Sequence, residues 1–292
     1  MRSTKTNWLD MFPYEFQEKQ KELPIVYQPL GICEPHGQVA ALGLDTFKAE
    51  HLCRTAALEV GGIVAPTQGF HAHEAGASAR WLYENVGETD PLMTSLPPEL
   101  MYKTFLYQLR AFYNTGFRGI IALSGHGGAH TQDFKRIAGH FAEATGCRVW
   151  YGTDFELAGP AFPADHAGKY ELSTLMHLRP ELVDLQLQSL EQQPASGGRL
   201  AIHSSAHEAT ASYGRAIVES CEAAIVKLVR EMEQELQSGH AEECPRLDYQ
   251  AIEAMWTQLL QQPWVGCSPR VGQVEVPSHS RWKPYERAIH SL

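Results

Sequence analysis

The chain has 292 residues, of which 43% are hydrophobic and 20% charged. Both fractions lie near the globular average, which excludes global disorder, and no apolar run reaches the ~18 residues that a membrane span needs. Acidic residues number 34 and basic residues 24, and the net charge of −10 argues against nucleic acid or an anionic membrane as the main partner.

The length allows two domains, but no composition shift marks a boundary, so a single α/β domain over residues 1–292 is expected. Residues 24–30 read as a strand. Residues 45–60 read as a helix, with Phe47, Leu52, Ala56 and Val60 near one face. A glycine pair stops it, and 61–66 form the next strand. Residues 97–115 read as a helix with a stripe of Leu100, Phe105, Leu109 and Phe112, ended by Gly116. The run RGIIALSG, 118–125, is continuously apolar between turn residues, as in a strand buried on both faces. A helix over 130–144 and a strand over 147–153 follow. This alternation predicts βαβ units and a three-layer α/β/α fold with a mostly parallel central sheet. Residues 154–165 read as loop, 167–178 as helix, 188–200 as a flexible connection and 208–237 as a long helix with an acidic outer face. From about Pro263 the chain is rich in proline and lacks periodicity, which predicts an irregular tail.

The first residues include Asp10 and no apolar h-region, unlike a secretory signal. The six cysteines contain no CxxC pair. Reduced thiols and a cytoplasmic location are therefore expected.

Ligands of open parallel sheets bind beyond the carboxyl ends of the strands. Four polar patches fall on that rim. The first is Glu34, Pro35 and His36, with Asp45 nine residues after His36. Glu, His and Asp suit zinc or manganese, although Asp45 alone could simply start a helix. The second is SGHGGAH, residues 124–130, where small residues around His126 allow close backbone approach. A phosphate cradle is the alternative there, but neither GxGxxG nor GxxxxGK[ST] is present. The third is Asp165 and His166 with Glu171 at the next helix start, and the fourth runs from Gly69 to Glu74 with His71 and His73. As isolated features these are turn residues or caps. Together they supply the donors of a two-metal hydrolase. Cys33 lacks a local Cys–His signature that would make it a nucleophile.

Three of these motifs, in order, resemble the creatininase family. PLGICEPHG followed by Leu44-Asp45 is similar to its P-x-G-S-x-E-Q-H-G and T-D. SGHGGAH is similar to its N-G-H-G-G-N, and ADHAGKYELSTLMHLRPELV to its D-x-H-A-G-x-x-E-T-S and following helix. The resemblance spans roughly residues 24–235. It implies a three-layer α/β fold with two divalent ions, Zn or Mn. Asp45 would bridge them, Glu34 and His126 would complete one site, and His36 and Glu171 the other. His166 would be the catalytic proton carrier, with Asp165 orienting it or capping a helix. The implied activity is hydrolysis of a C–N bond in a cyclic amide or formamide-type small molecule, with a metal-bridging hydroxide as nucleophile. A non-amide ring such as a cyclic ketone and an inactive metal- or ligand-binding member are the alternatives. The resemblance also implies a homo-oligomer, a hexamer in the family, whose contacts the proline-rich tail could serve.

Departures fall around the ligands. Creatininase has a further carboxylate two residues after the GH-motif histidine, where this chain has Gly128. Its Asn after G-H-G-G is Ala129 here, with His130 next. Its tryptophan four residues before the catalytic histidine is Phe162. Phe162, His71, His73, Glu74, His130 and Trp150 are the substrate-pocket candidates, against ordinary packing or surface roles.

Overall fold

A computed structural model describes residues 5–191, 200–238 and 245–282. After helix α1 (Pro13–Glu22), strand β1 (Ile25–Leu30) leads through a long loop to α2 (Leu44–Glu59) and β2 (Ile63–Val64). A small parallel pair, β3 (His71–Ala72) and β4 (Ser95–Leu96), brackets α3 (Ala77–Asn85). Then come α4 (Pro98–Thr115), β5 (Gly119–Ser124), α5 (His130–Thr145), β6 (Arg148–Thr153), α6 (Asp154–Ala158) and α7 (Lys169–Leu178). The long α8 (Ala211–Ser238) and α9 (Tyr249–Leu259) follow. No helix among the described residues is long and apolar enough to cross a membrane.

Strands β2, β1, β5 and β6 pair in that order, all parallel. The two central strands, β1 and β5, are buried along their whole length, and their side chains alternate between two cores. Val26, Leu30, Ile120 and Ala122 face Phe105, Leu109, Phe134 and Trp256 of α4, α5 and α9. Ile25, Tyr27, Ile121 and Leu123 face Leu52, Cys53, Ile217 and Ile225 of α2 and α8. Two cores on opposite faces of one sheet are what make the fold three-layered, α/β/α.

The strands and helices expected from periodicity are present, with ends shifted by up to a few residues. The stretch 154–165 departs from expectation. It opens with α6, because Thr153 caps that helix by accepting from the Glu156 N–H at 3.4 Å. Most of the connection expected at 188–200 lies outside the described residues. Helices α1, α3 and α9 are additions to the expected order.

Candidate metal centre

Loops at the carboxyl ends of β1 and β5, together with the first turns of α2 and α7, converge on one buried point. The approach of α2 to β5 is close: a Cβ on Gly125 would lie 1.9 Å from the Asp45 carbonyl oxygen. A glycine there lets the helix start press against the strand end. Asp45, in the first turn of α2, also sits where the helix dipole favours a carboxylate.

Glu34, His36, Asp45, His126 and Glu171 are all buried. The His126 Nδ1 lies 2.8 Å from Glu34 Oε1 and 3.3 Å from Asp45 Oδ2. On the other side, His36 Nε2 lies 3.6 Å from Asp45 Oδ1 and 3.3 Å from Glu171 Oε2. Asp45 therefore stands between two histidines, each with a second carboxylate beside it. His36 Nδ1 contacts the Glu34 carbonyl oxygen at 3.1 Å. A carbonyl only accepts, so Nδ1 carries a proton and Nε2 is the nitrogen that faces Asp45 and Glu171, the one left to bind an ion.

The donor set fits divalent cations. Both Asp45 carboxylate oxygens, His36 Nε2 and His73 Nε2 are buried without a hydrogen bond of sound geometry. Such groups are costly unless something else satisfies them. His36, Asp45 and Glu171 form one group spaced to hold an ion, and Glu34, His73 and His126 another. The electrostatics agree. Burial disfavours a charged His126, yet Glu34 and Asp45 outweigh it and push its pKa up to about 10. Burial likewise opposes ionisation of Asp45, but Lys48, His126 and His36 hold its carboxyl well below the usual range. The point favours positive charge.

Lys48 is a residue the sequence reading missed. It is three residues after Asp45 on α2, 1% exposed, and surrounded by carboxylates. Its Nζ is 2.8 Å from Glu171 Oε1 and 3.4 Å from both Asp45 Oδ1 and Asp154 Oδ2. Asp154, whose pKa burial raises to about 7 against the pull of Lys48, also accepts from Tyr170 Oη at 3.1 Å. The sequence signal was a lysine on the buried side of an amphipathic helix.

His166 stacks on His36 with ring centroids 4.7 Å apart. Its Nε2 donates to the Pro35 carbonyl at 3.1 Å. The basic nitrogen is then Nδ1, 3.9 Å from Glu34 and 3.8 Å from Glu171. Of the two roles expected for Asp165, orienting His166 or capping a helix, its hydrogen bonds are those of a cap on α7. Its carboxylate accepts from the N–H groups of Gly168, Tyr170 and Glu171 at 3.2, 2.8 and 3.3 Å. It holds the helix start that carries Glu171.

A cavity of about 770 Å³ opens above these groups and is walled by α3 through Ser78, Arg80 and Trp81. That volume suits a small molecule. His73 reaches this cavity. The other pocket candidates lie elsewhere. Phe162 packs on Tyr213 at 5.6 Å, and the aromatic ring beside His166 is Trp81, at 4.9 Å. Trp150 packs against the core on the α2 and α8 face. Glu74 is exposed near Ser95. His71 and His130 are buried behind His126. A Cβ on Gly128 would come within 2.8 Å of the His130 ring. The His130 ring thus fills the room a side chain at 128 would need.

A buried cation-binding point at the strand ends of a three-layer α/β fold defines a class of metal-capable α/β protein. The model of one family, described as creatinine amidohydrolase, matches residues 10–229. The chain belongs to the creatininase family. A crystal structure of creatinine amidohydrolase superposes with a TM-score of 0.66 at 18% identity, covering 79% of this chain and 99% of that one. A manganese form of creatininase gives 0.62 at 19% identity, covering 78% and 99%. A creatininase variant of Zn-Zn type gives 0.65 at 19%, also covering 78% and 99%. These likenesses show the fold. In sequence, 126 residues are 29% identical to a 3-dehydro-scyllo-inosose hydrolase of Thermotoga maritima, 43% of this chain and 37% of that protein. The chain thus spans well under half the length of this relative in the match.

Proposed function

We propose that the chain is a metal-dependent hydrolase that cleaves a C–N bond of a cyclic amide or formamide-type small molecule. Glu34, His36, Asp45, His126 and Glu171 would hold two divalent ions, Zn or Mn, with Asp45 shared. The observation that carries this reading is Asp45 itself, a fully buried carboxylate between His36 and His126 with neither oxygen hydrogen-bonded. Ions held there would supply Lewis acidity and would ease deprotonation of water near neutral pH.

The chain's own residues do the rest. Lys48 offsets the negative charge of Asp45, Asp154 and Glu171 and fixes the Glu171 oxygen that it contacts. The Ala167 N–H donates to the other Glu171 oxygen at 2.8 Å. Both oxygens are thereby oriented before any ligand arrives. His166 lines the cavity with Nδ1 as its free base, placed to take a proton and return it to the leaving nitrogen. Trp81 and the α3 wall limit water access to that nitrogen. A homo-oligomer, hexameric by family resemblance, and a cytoplasmic setting belong to the same reading.

Metal analysis of protein purified without chelator tests it. About two Zn or Mn ions per chain, with amide hydrolysis lost on chelation, is the expected result. Protein that binds no metal even when metal is added would sink it. Cleavage of a ring ketone is a second reading, favoured by the similarity to the protein named as an inosose hydrolase. The products separate the two. Hydrolysis of an amide yields a carboxylate and a new N–H group, joined in one molecule where the amide is cyclic, whereas hydrolysis of a ring ketone adds water across a C–C bond and yields a carboxylate with no new N–H.

A further inference from the structure

The cavity has a wall that the family match does not include. That match ends at residue 229, whereas Arg270, Val271, Gly272 and Gln273 line the cavity. They belong to the segment expected to be an irregular tail. It lacks regular structure, yet it is pinned at both ends. Trp264, 2% exposed, stacks on Trp256 at 5.5 Å and lies beneath the Arg136 guanidinium at 4.0 Å. The Val265 and Gly266 N–H groups donate to the two Asp133 carboxylate oxygens at 3.0 and 2.7 Å. At the far end Trp282 is buried and donates to the Gly87 carbonyl at 2.6 Å.

The turn between these anchors has a fixed shape. The Gln273 side chain accepts from the Arg270 N–H at 2.9 Å, and the Gln273 N–H donates to the Arg270 carbonyl at 2.9 Å. Gln273 also donates to the Ala77 carbonyl of α3 at 3.4 Å. Two arginines line the cavity. Arg80 is neutralised by Glu84, at 2.7 Å. Arg270 is exposed, and among the described residues no carboxylate pairs with it. Among the described residues, the cavity wall therefore holds one arginine without a carboxylate partner, on a turn fastened to α3, which forms another part of the wall.

We infer that this turn sets what the cavity accepts, and that Arg270 reads a carboxylate on the substrate. The inference rests on the proposed hydrolase reading. A guanidinium fork matches a carboxylate in two parallel hydrogen bonds. In solvent such a pair is worth little, so the effect is modest, about tenfold in affinity.

The test uses hydantoin and hydantoin-5-acetate, a neutral and an anionic cyclic amide, titrated calorimetrically into metal-loaded protein. Wild type, Arg270→Gln and Arg270→Lys are compared, with metal content checked in each. The acid is expected to bind about tenfold more tightly than the neutral compound to wild type. Arg270→Gln removes that preference without weakening the neutral ligand, and Arg270→Lys retains part of it. An acid that binds no tighter than the neutral compound, including not at all, overturns the inference. So does a preference undiminished in Arg270→Gln, because the metal centre alone would then be reading the charge. Hydrolysis of the two compounds is followed separately. Turnover without charge preference leaves the hydrolase reading and removes this one. An Arg270-dependent preference without turnover of any cyclic amide does the reverse.

Discussion

The floor and the overhanging wall of the cavity are built on opposite plans. The floor comes from Glu34, His36, Asp45, His126 and Glu171, inside the stretch that matches the family, and these residues are 3% exposed or less. It is held by the sheet. Two loops leave the ends of β1 and β5, two helices begin beside them, the Glu34 carbonyl orients His36, and Lys48 and the Ala167 N–H orient Glu171. The wall comes from residues 264–282, outside that stretch, and is largely exposed between two buried tryptophans. On the proposed reading, the contrast separates two jobs. Binding and polarising charge need rigid, desolvated donors, whereas choosing among substrates needs only a surface that can differ from one relative to the next.

The sharpest way to break the comparison is at the shared carboxylate. Asp45→Asn keeps the shape and removes the charge. Metal content is expected to fall from about two ions per chain to near zero, with turnover lost. A variant that keeps both metal and activity would show that the floor is not built around Asp45. His166→Ala comes next. It is expected to lower kcat by about 10²- to 10⁴-fold while the ions remain. His166 also belongs to a group with Glu34 and His36 that is spaced to hold an ion. Loss of one ion in the variant would therefore reassign His166 from proton carrier to ligand.

How much of this was legible in the sequence follows the same division. The continuous apolar run at 118–125 and the glycine-bounded strand at 61–66 made the parallel sheet readable, and the three ordered motifs placed the floor residues on one rim. Lys48 left only a weak signal, its place in line with Leu52 and Ala56, because a lysine on a surface helix is ordinarily assigned to solvent. Only the meeting of α2 with α7 and the end of β6 surrounds it with three carboxylates. Asp165 was read as orienting His166 or as capping a helix, and its oxygens accept from the backbone N–H groups at the start of α7. Trp81 was not assigned, since α3 is only 9 residues long and starts after Gly76 at φ +56, with no side-chain cap to mark it in the sequence. The tail beyond Pro263 was read as irregular, and its described part, 263–282, forms no helix or strand. Its place over the cavity depends on contacts with Asp133 and Gly87, more than a hundred residues away, which no local pattern records.

A smaller effect sharpens the floor side. Gly128, at φ +150, has no room for a Cβ beside the His130 ring, which stacks on His126 at 4.8 Å and 11°. Gly128→Ala is expected to shift His130, and through it His126, and to weaken retention of the ion on that side by about tenfold. Competition against a chromophoric chelator reads this directly. Unchanged affinity would show that the stacked ring does not support the ligand.

Trp264→Ala tests whether wall and floor are independent, and it has the smallest expected effect on turnover. The indole is the larger anchor of the strap, packed on Tyr102 at 4.8 Å as well as on Trp256. Removing a buried tryptophan costs about 3–5 kcal/mol at the site. Here the loss should fall on the strap, because no floor residue packs on this ring. Amides of Val265 and Gly266, now bonded to Asp133, should exchange faster with solvent. KM should rise by up to about tenfold, with kcat and metal content unchanged. Loss of metal together with the strap would mean that the two regions share stability and that the division drawn between them is false. Unchanged exchange would mean that Asp133 and Trp282 hold the wall without the indole. A rise in KM alone, with both ions in place, is the outcome that a rigid floor beneath an independently fastened wall requires.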